Sequence, residues 1–150
     1  MQLPERFELE YTDKDGTNKR PIMIHRVCFG SIERFIGILI EHFAGMFPTW
    51  LAPVQVKVLP ISEKFTDYAK SVKEQLDMVG IRTEIDNRDE KIGYKIREAR
   101  NERVPYMIVV GEKDMEANKV SLRSRANGEE GQFDLADVIE RVTKEIKERA

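Results

Sequence analysis

The sequence predicts an α/β fold: a mostly parallel sheet flanked by helices over residues 53–150, preceded by a β-hairpin and one helix. Three observations predict it. Strand and helix periods alternate after Pro53, and the connector Pro48-Thr49-Trp50-Leu51-Ala52-Pro53 parts two unlike stretches. The third is size: 150 residues with 41% hydrophobic content can bury a core without metal or disulfide staples.

The elements follow in order. Phe7-Glu8-Leu9-Glu10-Tyr11 alternates charged and apolar residues, then Asp13 to Asn18 form a polar turn into Ile22-Met23-Ile24-His25-Arg26-Val27, the pattern of a hairpin. Ser31 is placed to cap a helix carrying Ile32, Phe35, Ile36, Leu39, Ile40 and Phe43, a set apolar around much of its circumference, so burial on several sides is expected. Gly45 and Pro48 end it. Val54 to Leu59 is a strand, and Phe65, Tyr68, Ala69, Val72 and Leu76 keep helical spacing up to Gly80, an end cap. Arg82 to Ile85 is a short strand, Ile92 to Glu102 a helix, and Tyr106 to Val110 a buried strand. Gly111 to Asn118 is expected to be a turn, Lys119 to Arg125 an antiparallel strand, and Leu135, Val138, Ile139, Val142 and Ile146 mark a final amphipathic helix.

Composition excludes several classes. With 25 Lys+Arg against 27 Asp+Glu, overall charge indicates neither nucleic acid nor a membrane surface. The distribution is uneven: residues 88–125 carry 10 basic and 7 acidic groups, and residues 129–150 carry 4 and 7. A single cysteine, Cys28, rules out an internal disulfide and a two-cysteine zinc knuckle. No leader pattern or bilayer-length apolar run is present, so a cytoplasmic protein without a membrane partner is expected.

No nucleophile elbow, phosphate-binding loop or paired histidines occur, so the chain offers no self-contained catalytic centre. Three places carry possible chemistry. His25 in an apolar strand reads as a satisfied core histidine or as a metal or substrate ligand. Arg34, beside Glu33 on an apolar helix, reads as half of an ion pair or as a phosphate contact. Arg88, Lys91, Lys95, Arg97, Arg100 and Arg103, with Lys119, Arg123 and Arg125 on one strand face, read as a solvated charged face or as an RNA surface.

Three stretches then narrow the choice: Met23 to Leu39, containing Gly30-Ser31-Ile32-Glu33-Arg34; Phe47 to Val56, containing Pro-Thr-Trp-Leu-Ala-Pro; and Asp89 to Glu98 followed by Val104-Pro105-Tyr106-Met107. Together they closely resemble the threonyl-tRNA synthetases, and the Gly-x-x-x-Arg element resembles the third signature motif of class II synthetases. The resemblance implies a carboxy-terminal piece: residues 1–50 a remnant of the antiparallel catalytic core, and residues 53–150 an anticodon-binding domain with a mixed, mostly parallel five-stranded sheet.

It also implies the sites. His25 matches one of three zinc ligands, the other two lying outside this chain, and direct ligation of a substrate hydroxyl would discriminate threonine from isosteric valine. Arg34 matches the arginine that holds ATP phosphate, with Ser31 in the same active-site element. Asp89, Lys91, Arg97, Asp114 and Arg123 match residues that read the anticodon, with aspartate at 89 where asparagine is frequent and at 114 where glutamate is. The implied partners are tRNA(Thr), with threonine, ATP and zinc serving a full enzyme expected to be a homodimer; this chain alone is expected to bind neither cofactor tightly and to be inactive. The alternative is a free-standing RNA-binding or regulatory protein derived from such a synthetase. A third reading is the same anticodon fold from the prolyl, histidyl or glycyl enzymes, against which His25 and Pro48 to Pro53 argue.

Overall fold

A computed structural model describes residues 3–149 in two units, divided between Gly37 and Ile38. In the first unit, α1 (Leu3–Arg6) precedes a minimal antiparallel hairpin, β1 (Tyr11–Thr12) with β2 (Asn18–Lys19). Asp15 accepts from the Thr17 hydroxyl at 2.6 Å and pairs with Lys19 at 3.1 Å, which closes the turn. The expected strand over Ile22 to Val27 is not formed. Pairing ends at Tyr11 opposite Lys19, and an extended segment with no neighbouring strand leaves its backbone groups to water.

Helix α2 (Ile32–His42) begins as expected, with Ser31 Oγ accepting the Arg34 N–H at 3.3 Å. Its burial differs from expectation: none of its residues is buried. Phe35, stacked on Phe29 at 4.4 Å between ring centres, and Leu39 are half-buried, and the other residues of the helix are exposed.

The second unit contains the five-stranded sheet. The elements run β3 (Val56–Pro60), a short 3-10 turn at Glu63–Phe65, α3 (Thr66–Met78), β4 (Thr83–Ile85), α4 (Ile92–Asn101), β5 (Tyr106–Val110), α5 (Glu112–Ala117), β6 (Val120–Ser124), β7 (Gly128–Phe133) and α6 (Leu135–Glu148). Strand order is β4-β3-β5-β6-β7, with the first two pairings parallel and the last two antiparallel. Gly80 takes φ +82 just after α3, the left-handed conformation that ends a helix.

Alternation along the strands separates two layers. Val56, Val58, Ile108, Val110, Val120 and Leu122 face Ala69, Val72 and Leu76 of α3 and Val138 and Val142 of α6. On the other face Leu59 and Met107 meet Ala99 of α4, with Ile92 and Ile96 beside them.

Two elements depart from the sequence reading. Gly111 to Asn118 contains a six-residue helix, not a turn; Asp114 Oδ2 accepts the Gly111 N–H at 3.0 Å, satisfying a donor at its start. Strand β7 supplies the fifth strand, which periodicity does not reveal. Its ladder with β6 is irregular: Leu122 lies opposite Gly131 but Arg123 lies opposite Glu129, so Glu130 is the extra residue of a bulge, beside Gly131 at φ +105.

Candidate nucleic-acid interface

On its second face the half of the sheet carried by β6 and β7 meets the short helix α5 at its margin, whereas the longer α4 packs on β3. Register places Ser121 opposite Gln132 and Arg123 opposite Glu129, and all four belong to the face opposite the buried Val120 and Leu122. Ser121 and Arg123 are half-buried, while Glu129 and Gln132 are exposed. Arg123 Nη1 donates to Glu129 Oε2 at 2.7 Å, which holds the guanidinium on the surface with further N–H donors to spare.

Asp114 reaches this surface from α5 but is itself only 5% exposed. Oδ1 accepts from Ser121 Oγ at 2.7 Å and from Gln132 Nε2 at 2.8 Å, while Oδ2 takes the Gly111 N–H. Ser121 and Gln132 are residues that sequence reasoning misses. The available signal was parity, since Ser121 shares its strand face with Arg123.

A second cluster forms where β4 leads into α4. Asp86 is buried and accepts from Arg88 through Nε at 2.9 Å and Nη2 at 2.7 Å; these bonds hold its carboxyl below the ordinary carboxylate range against the opposing effect of burial. Asp89 and Lys91 are exposed in the following loop, and Arg97 is exposed on α4. The guanidinium of Arg97 lies 5.4 Å from the Tyr94 ring centre and that of Arg88 lies 5.7 Å from it, so cationic groups flank a half-buried aromatic. This loop follows the carboxyl end of β4, the edge of an open α/β sheet where ligands characteristically bind.

Not every basic residue serves a surface. Lys95 is buried, and its ammonium donates to the carbonyls of Pro60 and Asp86, each at 3.1 Å. Arg125 donates to the carbonyls of Phe47 and Arg103, both at 2.9 Å, and Lys119 lies 3.7 Å from Asp134. Of the strand residues 119, 123 and 125, Arg123 presents its charge on the outer face of β6 and β7, where its partner Glu129 is another exposed side chain of that face.

The remaining candidates lie before Gly37. His25 is exposed in an irregular segment, which rules out the core-histidine reading within this structure. Among the described residues no group of three His, Cys, Asp or Glu is arranged to hold a metal ion. Arg34 is exposed, and Glu33 is taken by the Ser31 hydroxyl at 2.8 Å. The backbone at Glu33 and then this bond lower its carboxyl from the usual range. No helix of the described residues is long and apolar enough to cross a membrane.

Comparisons with known proteins bear on both regions. Residues 55–145 match the family model described as the anticodon binding domain, and residues 1–43 match the tRNA synthetase class II core domain (G, H, P, S and T). The chain is 61% identical over 150 residues to a threonine–tRNA ligase of Caldanaerobacter subterraneus, spanning 100% of this chain and 23% of that protein. It is 60% identical over 149 residues to a threonine–tRNA ligase of Clostridioides difficile, again across 23% of that protein. The chain thus spans about a quarter of the length of these curated relatives. Among solved structures, the RNA binding domain of threonyl-tRNA synthetase from Cryptosporidium parvum superposes with a TM-score of 0.72 at 40% identity, over 96% of this chain and 37% of that one.

Proposed function

This chain belongs to the anticodon-binding domain family, and from that premise we propose that it is the carboxy-terminal part of a threonine–tRNA ligase and reads the anticodon of tRNA(Thr). The observation that carries the reading is the outer face of β6 and β7: Arg123, Ser121 and Gln132 stand on it beside α5, inside the stretch that matches the family. Such a face suits single-stranded bases splayed from a loop, which present polar edges for side chains to read. Arg123 donates to bases or phosphates, Lys91 and Arg97 supply phosphate counter-charge, and Asp89 lies in the same loop as Lys91. Asp114 belongs to the same assembly as an organiser of its neighbours.

In this reading residues 1–50 are a remnant of the catalytic core and residues 53–150 the anticodon domain. The whole enzyme, a cytoplasmic homodimer with no membrane partner, joins threonine to tRNA(Thr) at the expense of ATP. Arg34 lies on the exposed side of α2, where it can meet an ATP phosphate, and Ser31 shapes that helix start. His25 offers one imidazole toward zinc, and the described residues do not complete a ligand set, so no step is assigned to zinc on this chain.

The test is binding of an RNA stem-loop bearing a threonine anticodon, compared with the same stem-loop whose second and third anticodon bases are exchanged. We expect the cognate loop to bind at least tenfold tighter, with no threonine-dependent pyrophosphate exchange by the chain alone. Equal affinity for the two loops would overturn anticodon reading, and measurable exchange would overturn the assignment of the chain as a fragment.

A further inference from the structure

The connector between the two matched regions has no strand partner, so its carbonyls would ordinarily be left to water. Side chains of the second unit take them instead, one after another. Arg82, which leads into β4, donates through Nε to the carbonyls of Ala52 at 3.0 Å and Pro53 at 3.2 Å. Its Nη2 donates to those of Trp50 at 2.9 Å and Ala52 at 2.7 Å, so every side-chain bond of Arg82 ends on the connector. Gln55, just before β3, is fully buried; its Nε2 donates to the Thr49 carbonyl at 2.9 Å while its Oε1 accepts the Arg82 N–H at 2.9 Å, which ties the two clamps together. Arg125 and Arg103 hold the carbonyls of Phe47 and Ala44 in the same way. Pro48 and Pro53 fix two further backbone angles. The segment that links the two matched regions is therefore a splinted strap of the sheet and not a loose tether.

We propose that Arg82 is a positioning residue of the whole ligase: it stiffens the connector, so that the grip on the anticodon sets where the rest of the tRNA meets the catalytic core. A tRNA that bridges both domains is held at two distant places, and a slack link would let its far end leave the reacting geometry. Binding at the anticodon lowers the barrier of the transfer step only if that link is stiff. Amino-acid activation needs no tRNA placement and should not depend on Arg82. This inference rests on the function proposed above and adds to it the residue that couples the two domains.

The experiment uses a complete threonine–tRNA ligase whose matching segment is replaced by this chain. The hybrid is compared in native form, as Arg82→Gln, as Arg82→Lys, and with a pair of glycines inserted between Ala52 and Pro53. Arg82→Gln should leave threonine-dependent pyrophosphate exchange unchanged, and likewise the affinity of the 150-residue chain for the cognate stem-loop. Its kcat for charging tRNA(Thr) should fall roughly tenfold or more. Arg82→Lys should lie between, because one ammonium cannot reproduce a fork that spans the carbonyls of Trp50, Ala52 and Pro53. The insertion should give the same split with Arg82 in place, and combining it with Arg82→Gln should cost no more than the larger single effect. Circular dichroism checks folding, and the insertion decides the matter if Arg82→Gln does not fold. Unchanged charging, a loss shared equally by pyrophosphate exchange, or a weakened stem-loop affinity overturns the inference. If that happens while the native hybrid charges only tRNA with a threonine anticodon, the anticodon reading stands without the splint. A native hybrid that activates threonine but charges tRNA regardless of its anticodon removes both.

Discussion

Glu145 on α6 accepts the phenolic hydroxyl of Tyr106 on β5 at 2.6 Å, joining the last helix to the central part of the sheet. The same carboxylate accepts from Thr49 at 2.7 Å, so one acid ties the connector, a strand and a helix together. Burial and then the bond to Glu145 push the Tyr106 hydroxyl up to about 12. A raised folded value means that the stabilisation is fully present below the unfolded value near 10 and is lost as pH rises toward about 12. Tyr106→Phe should cost roughly 1.5–3 kcal/mol at pH 7, the worth of a bond to a charged acceptor. It should also remove the steepest part of the stability loss above pH 10, measured by urea unfolding at a series of pH values.

Glu130 behaves in the opposite sense. The guanidinium of Arg141 holds its carboxyl down to about 2, against burial and with help from Ser124 and Asn127. A depressed folded value contributes stability above the unfolded value near 4.5, lost as pH falls through about 2. Glu130→Gln should lower stability at neutral pH by roughly 1–2 kcal/mol, discounted because Arg141 is partly exposed. The variant's stability curve should be flatter than the native one between pH 4.5 and 2. Acid titrations that fall equally steeply in both proteins would contradict this account.

Lys95 should matter to the fold more than to RNA. Its ammonium satisfies two carbonyls at the carboxyl ends of β3 and β4, and Lys95→Met leaves both without that donor inside the protein. A loss of about 2–4 kcal/mol is expected. The salt dependence of RNA binding should be unchanged, because a buried cation releases no counterions from RNA.

Arg123 and Arg125 separate the two kinds of basic residue on one strand edge. Arg123→Ala should weaken cognate stem-loop binding by about 1–3 kcal/mol and relax base selectivity, with little change in unfolding midpoint. Arg125→Ala should do the reverse, lowering stability by roughly 1–3 kcal/mol as the carbonyls of Phe47 and Arg103 lose their donor. Lys91→Ala should mainly reduce the slope of log affinity against log salt. Identical binding and identical slopes in all three variants would return the basic stretch to a merely solvated face.

The contrast between legible and hidden parts has physical reasons. Strands β3 and β5 are buried on both faces; β5 shows itself as a continuous apolar run, β3 as valines alternating with Gln55 and Lys57, and α3 and α6 show themselves by spacing. Strand β7 does not, because Gly128, Glu129, Glu130, Gly131 and Gln132 have little strand preference; it forms on the edge offered by β6, with Phe133 packed against the core. Helix α5 is too short to show a period, although Gly111 and Asp114 stand at the spacing by which a side chain caps the helix start. Within the site, the sequence points to Arg123 by parity, but no pattern of residues could tell that Lys95 is turned inward or that Asp114 is enclosed by Ser121 and Gln132. Those facts depend on which helix covers which strands.

The bulge at Glu130 carries a consequence for how this protein tolerates changes of length. Its extra residue lets Glu129 stand opposite Arg123 while Glu130 faces Arg141 on α6. Removing Glu130 would leave Glu129 opposite Arg123 and lose the tie to α6, whereas removing Glu129 would carry Glu130 to the place opposite Arg123 and away from Arg141. Insertions are therefore admissible in the Ala126–Asn127 turn, whose two residues are exposed, and inadmissible between Glu129 and Gln132. In an alignment of relatives, gaps should gather at the first place and be missing from the second.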